Sequence, residues 1–245
     1  MTKEEARPGV QVIAHRGASG ELPENTLPAY ELAIERGADM IEIDLHRTGD
    51  GHIVITHDES LEGLGGRGEI ADASLAEVRA LDAGNGEQVP TLAEVLDRFG
   101  ERIAFNLEIK RGTRGTYAGL EEETLRALRG RRLAAPPLFS SFFDPVLERL
   151  RSLDPGARLG VLVSPRAPEG PLERARRVAA EAINPHFLLV DEQLVGQAHA
   201  AGLAVHVYTV DDESQIRRLV QMGVDGIFTN QPGRMRALLN STARD

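Results

Sequence analysis

Residues 40–46 read Met-Ile-Glu-Ile-Asp-Leu-His, and this stretch decides the fold. It is a β-prone apolar run that delivers carboxylates and an imidazole at its end. Three other segments repeat the device: VIAHRG ending at His15 and Arg16, IVITHD ending at His57 and Asp58, and FNLEIK ending at Glu108 and Lys110. Apolar strands whose last residues are acids, bases or cations are the pattern of a parallel α/β barrel. Such barrels assemble their sites from the C-terminal ends of several strands.

Working outward, the apolar runs alternate with amphipathic segments. Strands are predicted at Val10–His15, Met40–Leu45, Ile103–Ile109, Leu138–Ser141, Arg158–Val163, Ala182–Asn184, Ala204–Tyr208 and Gly226–Thr229. Helices are predicted at Leu27–Arg36, Leu92–Phe99, Tyr117–Arg129, Pro145–Ser152, Leu172–Glu181, Glu192–Ala201, Asp212–Met222 and Arg234–Leu239. This alternation predicts an α/β fold, a TIM-type (β/α)8 barrel. Asp144 before Pro145 and Asp211 before the next-to-last helix are expected N-caps. Gly37, Gly100, Gly130, Gly202 and Gly223 are expected helix C-caps.

Residues 51–90 break the rhythm with an extra strand-like run, His52–His57, a Gly-rich stretch and a short helix, Leu75–Leu81. The interval is too small for its own core. The expectation is one domain over residues 1–245, with 51–90 as a small insertion over the C-terminal mouth and fraying after Asn240.

Composition excludes several classes. A net charge of −10 over 245 residues argues against nucleic-acid or anionic-lipid binding. Zero cysteines exclude disulfides and thiolate chemistry. The N-terminus MTKEEARPG lacks the apolar core of a signal peptide, and no run of about 18 apolar residues exists, so a cytoplasmic protein without membrane insertion is expected. No heptad or apolar patch defines an oligomeric state. Gly65-Gly66-Arg67-Gly68 lacks P-loop spacing and reads as a flexible loop, and no G-x-S-x-G elbow is present.

Glu42 and Asp44 lie two apart on one strand and face the same side. With Glu108 on the next main strand they form an all-carboxylate set. Such a set suits a hard divalent cation, Mg²⁺, Ca²⁺ or Mn²⁺, or else a buried ionic network with Arg16 and Lys110. Histidine as a residue type titrates near neutrality, so His15 and His57 suit general base and acid roles. Asp58 either orients an imidazole or, as the favoured expectation, caps the following turn. Arg16 can grip phosphate bidentately or pair with a carboxylate, and Lys110 adds a point charge. Asn25 or Thr26 can cap the first helix, with pure capping the stronger expectation for Thr26, and Glu24 and Asn25 can also brace the first loop. His46 and His52 are expected in solvent, and His206 in the core. His186 and His199 are weaker candidates.

These residues resemble the glycerophosphodiester phosphodiesterase family. Its hallmarks stand in order: His15-Arg16-Gly17, Pro23-Glu24-Asn25-Thr26, Glu42-x-Asp44, His57-Asp58 and Glu108-x-Lys110. Later come Ser141-Phe142, Asn184-Pro185, Val207-Tyr208-Thr209-Val210 and the run Gly223 to Pro232. The match spans about residues 10–236. The resemblance implies hydrolysis of a small-molecule glycerophosphodiester to sn-glycerol 3-phosphate and an alcohol. It implies a divalent cation held by Glu42, Asp44 and Glu108, catalysis by His15 and His57, and Arg16 and Lys110 on the phosphate. Tyr208, where the family usually has Trp, implies an aromatic face for the glycerol carbons. The Arg-Thr pair often found after the His-Asp motif is absent, and Glu62-Gly63 stands near its place. The alternatives are lysophospholipase D-like hydrolysis of lysophospholipids, and a catalytically silent phosphodiester-binding barrel.

Overall fold

The computed structural model describes residues 9–242. The polar N-terminal segment lies outside the described residues except for Gly9. The expected fraying after Asn240 is not seen through Thr242, and residues 243–245 lie outside as well.

Eleven strands occur among the described residues: β1 Gln11–His15, β2 Met40–Arg47, β3 Ile53–Ile55, β4 Ala104–Ile109, β5 Arg111–Gly112, β6 Gly115–Thr116, β7 Leu138–Ser141, β8 Arg158–Val163, β9 Ala182–Pro185, β10 Ala204–Val207 and β11 Gly226–Thr229. The helices are α1 Leu27–Glu35, α2 Leu75–Arg79, α3 Leu92–Phe99, α4 Leu120–Leu128, α5 Asp144–Leu153, α6 Pro171–Arg177, α7 Glu192–Ala200, α8 Glu213–Met222 and α9 Pro232–Thr242. The parallel strands run in the order β1-β2-β4-β7-β8-β9-β10-β11, and β11 pairs back onto β1. That closes the predicted (β/α)8 barrel.

The main apolar core lies between the strands and the helix ring, with Ile41, Ile43, Leu107, Val161 and Val205 facing Tyr30, Phe99, Leu147 and Leu219. The opposite strand faces fill the barrel. Ile13, Met40 and Phe228 form a small apolar plug there. Asn106, Ser140, Asn184 and His206 are buried as well.

The run ending at His57 is not one of the eight barrel strands. β3 pairs antiparallel with the end of β2, Ile55 opposite Leu45, so the chain doubles back over the mouth. The insertion carries its own small apolar cluster, with Leu61, Ile70, Val78 and Val89 around Val54. A hairpin that the sequence pattern missed, β5–β6, is tied to it by Thr113 on Glu69 and Arg114 on Asp72.

Several cap assignments change. The N-cap of α5 is Phe143; Asp144 is already helical, and its carboxylate accepts from Arg174 Nε at 2.8 Å instead. The N-cap of α8 is Asp212, which frees Asp211 for another task. Gly223 closes α8 with a left-handed φ of 79°, but Gly100 is right-handed at −55°. α4 begins only at Leu120, after Gly119 at a left-handed φ of 83°, and Tyr117 stands before it in contact with His46. α6 stops at Arg177 because Ala179 turns left-handed and Arg151 takes the carbonyls of Val178 and Ala179.

His206 is a core histidine as expected, but its Nδ1 has no hydrogen-bond partner. Burial lowers its imidazole from 6.5 to about 4. Between those values the unfolded chain holds the proton and the folded chain does not. This contribution is therefore complete above pH 6.5 and is lost as pH falls toward 4, at most about 3 kcal/mol. Urea midpoints measured across that window should fall with pH, and the fall should be smaller in His206→Gln. An equal fall in the variant would remove His206 as a cause.

Candidate active site

The register of three strands assembles the site. His15 on β1 lies beside Glu42 on β2, and Asp44 lies beside Glu108 on β4. Side-chain alternation then turns all four toward the barrel axis at its C-terminal end. Ligand oxygens of Glu42, Asp44 and Glu108 come within 4.8 Å of one another, and all three residues are buried.

Two cations are set among the three acids. Lys110 Nζ lies 2.8 Å from Asp44 Oδ1 and 2.7 Å from Glu108 Oε1. Arg16 Nε lies 3.2 Å from Asp44 Oδ2, and its Nη1 donates to both Glu24 oxygens at 3.0 Å. The ionic-network reading is thus realised, but for one acid too few. Asp44 also accepts from Asn25 Nδ2 at 2.8 Å. Burial pushes the Asp44 carboxyl up, but Lys110 and Arg16 outweigh it and hold Asp44 ionised. Glu42 receives only the Arg16 backbone N–H on Oε2, at 3.1 Å, and its buried Oε1 has no partner. Burial, with the charges of Asp44 and Glu108, drives the Glu42 carboxyl well above its ordinary range. Burial also raises Glu108, although Lys110 pulls the other way. A divalent cation fits this donor set: three carboxylates, one buried oxygen without a partner, and one negative charge more than Arg16 and Lys110 neutralise.

The first loop is built to hold this cluster. Arg16 adopts a left-handed φ of 59° directly after β1, and its N–H also bonds the Glu42 carbonyl at 3.0 Å. Gly17 follows at φ 86°, where a Cβ would meet the Ala29 backbone at 2.8 Å. Asn25, also left-handed, accepts from Tyr30 Oη at 3.0 Å while donating to Asp44. The bracing expected of Glu24 and Asn25 is present, and Thr26 caps α1.

Both proposed catalytic imidazoles line one cavity of about 280 Å³ above these acids. That volume is near the small end of small-molecule sites. Burial, then the Arg16 charge, lowers His15 to about 4. Its Nδ1 is hydrogen-bonded to Asn230 Oδ1 at 2.8 Å. His57 Nδ1 lies 2.7 Å from Asp58 Oδ1, so Asp58 orients an imidazole and the favoured turn-cap reading is wrong. Tyr208 lines the same cavity, edge-on to Phe142, His186 and Phe228. Its hydroxyl is committed to the Val163 carbonyl at 2.9 Å, which leaves the ring as its contribution to the wall.

Sequence reasoning placed His46 in solvent, and the structure buries it. His46 Nε2 lies 3.1 Å from the His57 carbonyl, and Nδ1 lies 2.6 Å from Tyr117 Oη. The carbonyl can only accept, so Nε2 carries the proton and Nδ1 accepts from Tyr117. This bridge holds the His57 backbone in place. The missed signal was parity: His46 follows Glu42 and Asp44 at the same two-residue spacing. Asn106 and Asn230 were likewise missed, and His186 lines the cavity while His199 pairs with Asp225 well away from it. His46→Leu leaves the Tyr117 hydroxyl and the His57 carbonyl without partners. It should cost about 1–3 kcal/mol of stability by urea denaturation, and an unchanged midpoint would show the bridge to be idle.

Fold and site together define a (β/α)8-barrel hydrolase with an acid, imidazole and cation cluster at its mouth. The model of the glycerophosphoryl diester phosphodiesterase family matches residues 15–234. A glycerophosphodiester phosphodiesterase of Caldanaerobacter subterraneus subsp. tengcongensis is 36% identical over 230 residues, covering 90% of this chain and 94% of the relative. One from Bacillus subtilis is 34% identical over 249 residues, covering 91% and 84%. The solved phosphodiesterase of Oleispira antarctica, in complex with the product sn-glycerol-3-phosphate, superposes with a TM-score of 0.84 at 35% identity, covering 96% of this chain and 97% of that one. The chain belongs to the glycerophosphoryl diester phosphodiesterase family.

Proposed function

We propose that this enzyme is a metal-dependent phosphodiesterase that hydrolyses glycerophosphodiesters to sn-glycerol 3-phosphate and an alcohol. One observation carries the reading: a single cavity is faced by His15, His57, Arg16, Lys110 and Tyr208 and includes Glu42 and Glu108 in its lining. The product complex of the Oleispira antarctica relative supports the substrate class.

Glu42, Asp44 and Glu108 would hold Mg²⁺, Ca²⁺ or Mn²⁺. Such an ion supplies Lewis-acid polarisation of a phosphoryl oxygen and charge compensation. Arg16 and Lys110 meet the remaining negative charge as it builds on the phosphoryl group. Arg16 can do so by exchanging its exposed partner Glu24 for phosphate. The Tyr208 ring packs against the glycerol carbons.

His15 is the base. Its lowered pKa keeps it neutral at pH 7, and its neighbour Asn230 is uncharged. It takes the proton of the glycerol hydroxyl next to the phosphate as that oxygen attacks phosphorus. His57 is the acid. Its carboxylate partner Asp58 fixes the ring through Nδ1, and the opposite ring nitrogen gives its proton to the departing alcohol oxygen. The cyclic phosphate is then opened by water with the two roles exchanged.

The chain is read as one domain, with residues 51–90 elaborating the mouth. The reading also includes a cytoplasmic location, a small-molecule substrate, no nucleic-acid partner and no membrane insertion. No helix among the described residues is long and apolar enough to cross a membrane. A second substrate reading, lysophospholipid cleavage, is favoured by one feature. Leu188, beside the cavity residue His186, is 69% exposed and could receive an acyl chain.

Purified protein should release sn-glycerol 3-phosphate from glycerophosphocholine and related diesters. EDTA should stop release and added Mg²⁺, Ca²⁺ or Mn²⁺ should restore it. Release from lysophosphatidylcholine alone would transfer the assignment to the lysophospholipid reading, and chelator-insensitive turnover would remove the metal.

The two histidine roles separate by leaving group. His15→Ala and His57→Ala should each lose about 10²–10⁴-fold in turnover of glycerophosphocholine. With glycerophospho-4-nitrophenol, whose leaving group departs without a proton, His57→Ala should recover most activity and His15→Ala should not. The reverse pattern would exchange base and acid.

A further inference from the structure

Asp211 was expected to cap α8 and does not. Its carboxylate is held by three donors from the end of β11 instead. Oδ1 accepts from Thr229 Oγ1 at 2.7 Å and from the Asn230 backbone N–H at 2.8 Å. Oδ2 accepts from Asn230 Nδ2 at 2.7 Å. On its other side the same Asn230 amide meets His15 Nδ1 at 2.8 Å. A carboxylate only accepts, so the amide nitrogen of Asn230 must face Asp211. Its oxygen must then face His15, and an amide oxygen also only accepts. The chain of donors and acceptors has one consistent solution, in which His15 Nδ1 carries the proton.

We propose that Asp211 and Asn230 are positioning residues that act in series to fix His15 as its Nδ1–H tautomer, leaving the Nε2 lone pair toward the substrate cavity. Ser19 secures the junction: its hydroxyl lies 2.7 Å from the His15 carbonyl and 2.9 Å from Asn230 Oδ1, both acceptors. The neutral amide transmits orientation without placing a full charge beside the ring. This differs from His57, which Asp58 contacts directly. The alternative tautomer would point an N–H at the hydroxyl to be deprotonated and leave no base there.

Asp211→Asn should reverse the whole series. The Asn230 backbone N–H still requires an acceptor, so the new amide keeps its oxygen there. Its nitrogen then takes the place of Oδ2 and faces Asn230. Asn230 must turn its own oxygen toward it, and its nitrogen toward His15. His15 Nδ1 becomes an acceptor and the proton moves to Nε2. The double variant Asp211→Asn/Asn230→Asp should undo this, since a carboxylate at position 230 accepts from the amide at 211 on one side and again from His15 Nδ1–H on the other.

The proposal rests on His15 being the base, and the two are separable because the tautomer is read without substrate or metal. The experiment is two-bond ¹H–¹⁵N correlation of ¹⁵N-histidine-labelled, metal-free protein at about pH 8, where an ordinary imidazole is neutral. His15 is identified by the signals lost in His15→Gln. We expect Nδ1–H in the wild type, Nε2–H in Asp211→Asn and Nδ1–H again in the double variant. Turnover should fall by about 10²-fold or more in the single variant and return to within about tenfold in the double. A wild-type Nε2–H tautomer would overturn the proposal, even if the variants failed to fold. So would an unchanged tautomer in folded Asp211→Asn, or no restoration in the folded double variant. If the tautomers follow the scheme while turnover does not, the relay stands and the base assignment of His15 fails.

Discussion

Three buried carboxylates share the mouth of this barrel with only two cations, and much of the surrounding structure answers that imbalance. Like charges this close in a low-dielectric setting cannot all remain ionised unless something positive stands between them. Lys110 bridges Asp44 and Glu108, and Arg16 reaches Asp44 from the first loop. Glu42 is left with one backbone N–H and one bare oxygen. The arrangement costs stability, and the divalent ion proposed for these acids would offset that cost.

The backbone accepts distortion to sustain this arrangement. Arg16 and Asn25 both occupy left-handed conformations that side chains disfavour, and both donate to acids of the cluster. Such strain persists where neighbouring contacts over-determine it. Here those contacts are the Glu42 carbonyl, the Tyr30 hydroxyl and the close approach of Gly17 to α1. The two imidazoles receive different support. His15 is half-buried at the end of a barrel strand and held by a neutral amide. His57 is half-exposed on the insertion, paired with a carboxylate and braced from behind by His46. That asymmetry underlies the opposite proton-transfer roles proposed for them.

The alternation of apolar strands with amphipathic helices determined the (β/α)8 class from the sequence alone, because period-2 and period-3.6 patterns are local properties of the chain. The strand-end placement of His15, Glu42, Asp44, Glu108 and Lys110 was legible for the same reason. Tertiary structure decided what local patterns cannot. Register placed Asp44 against Glu108 and left Glu42 as the unmatched acid. The hairpin β2–β3, and not a barrel strand, brought His57 to the mouth. Burial turned His46 from an expected surface residue into a brace, and a contact 19 residues along the chain took Asp211 from a helix cap to Asn230. Each of these depends on which groups meet across distant sequence, where a donor finds its acceptor only after the barrel has closed.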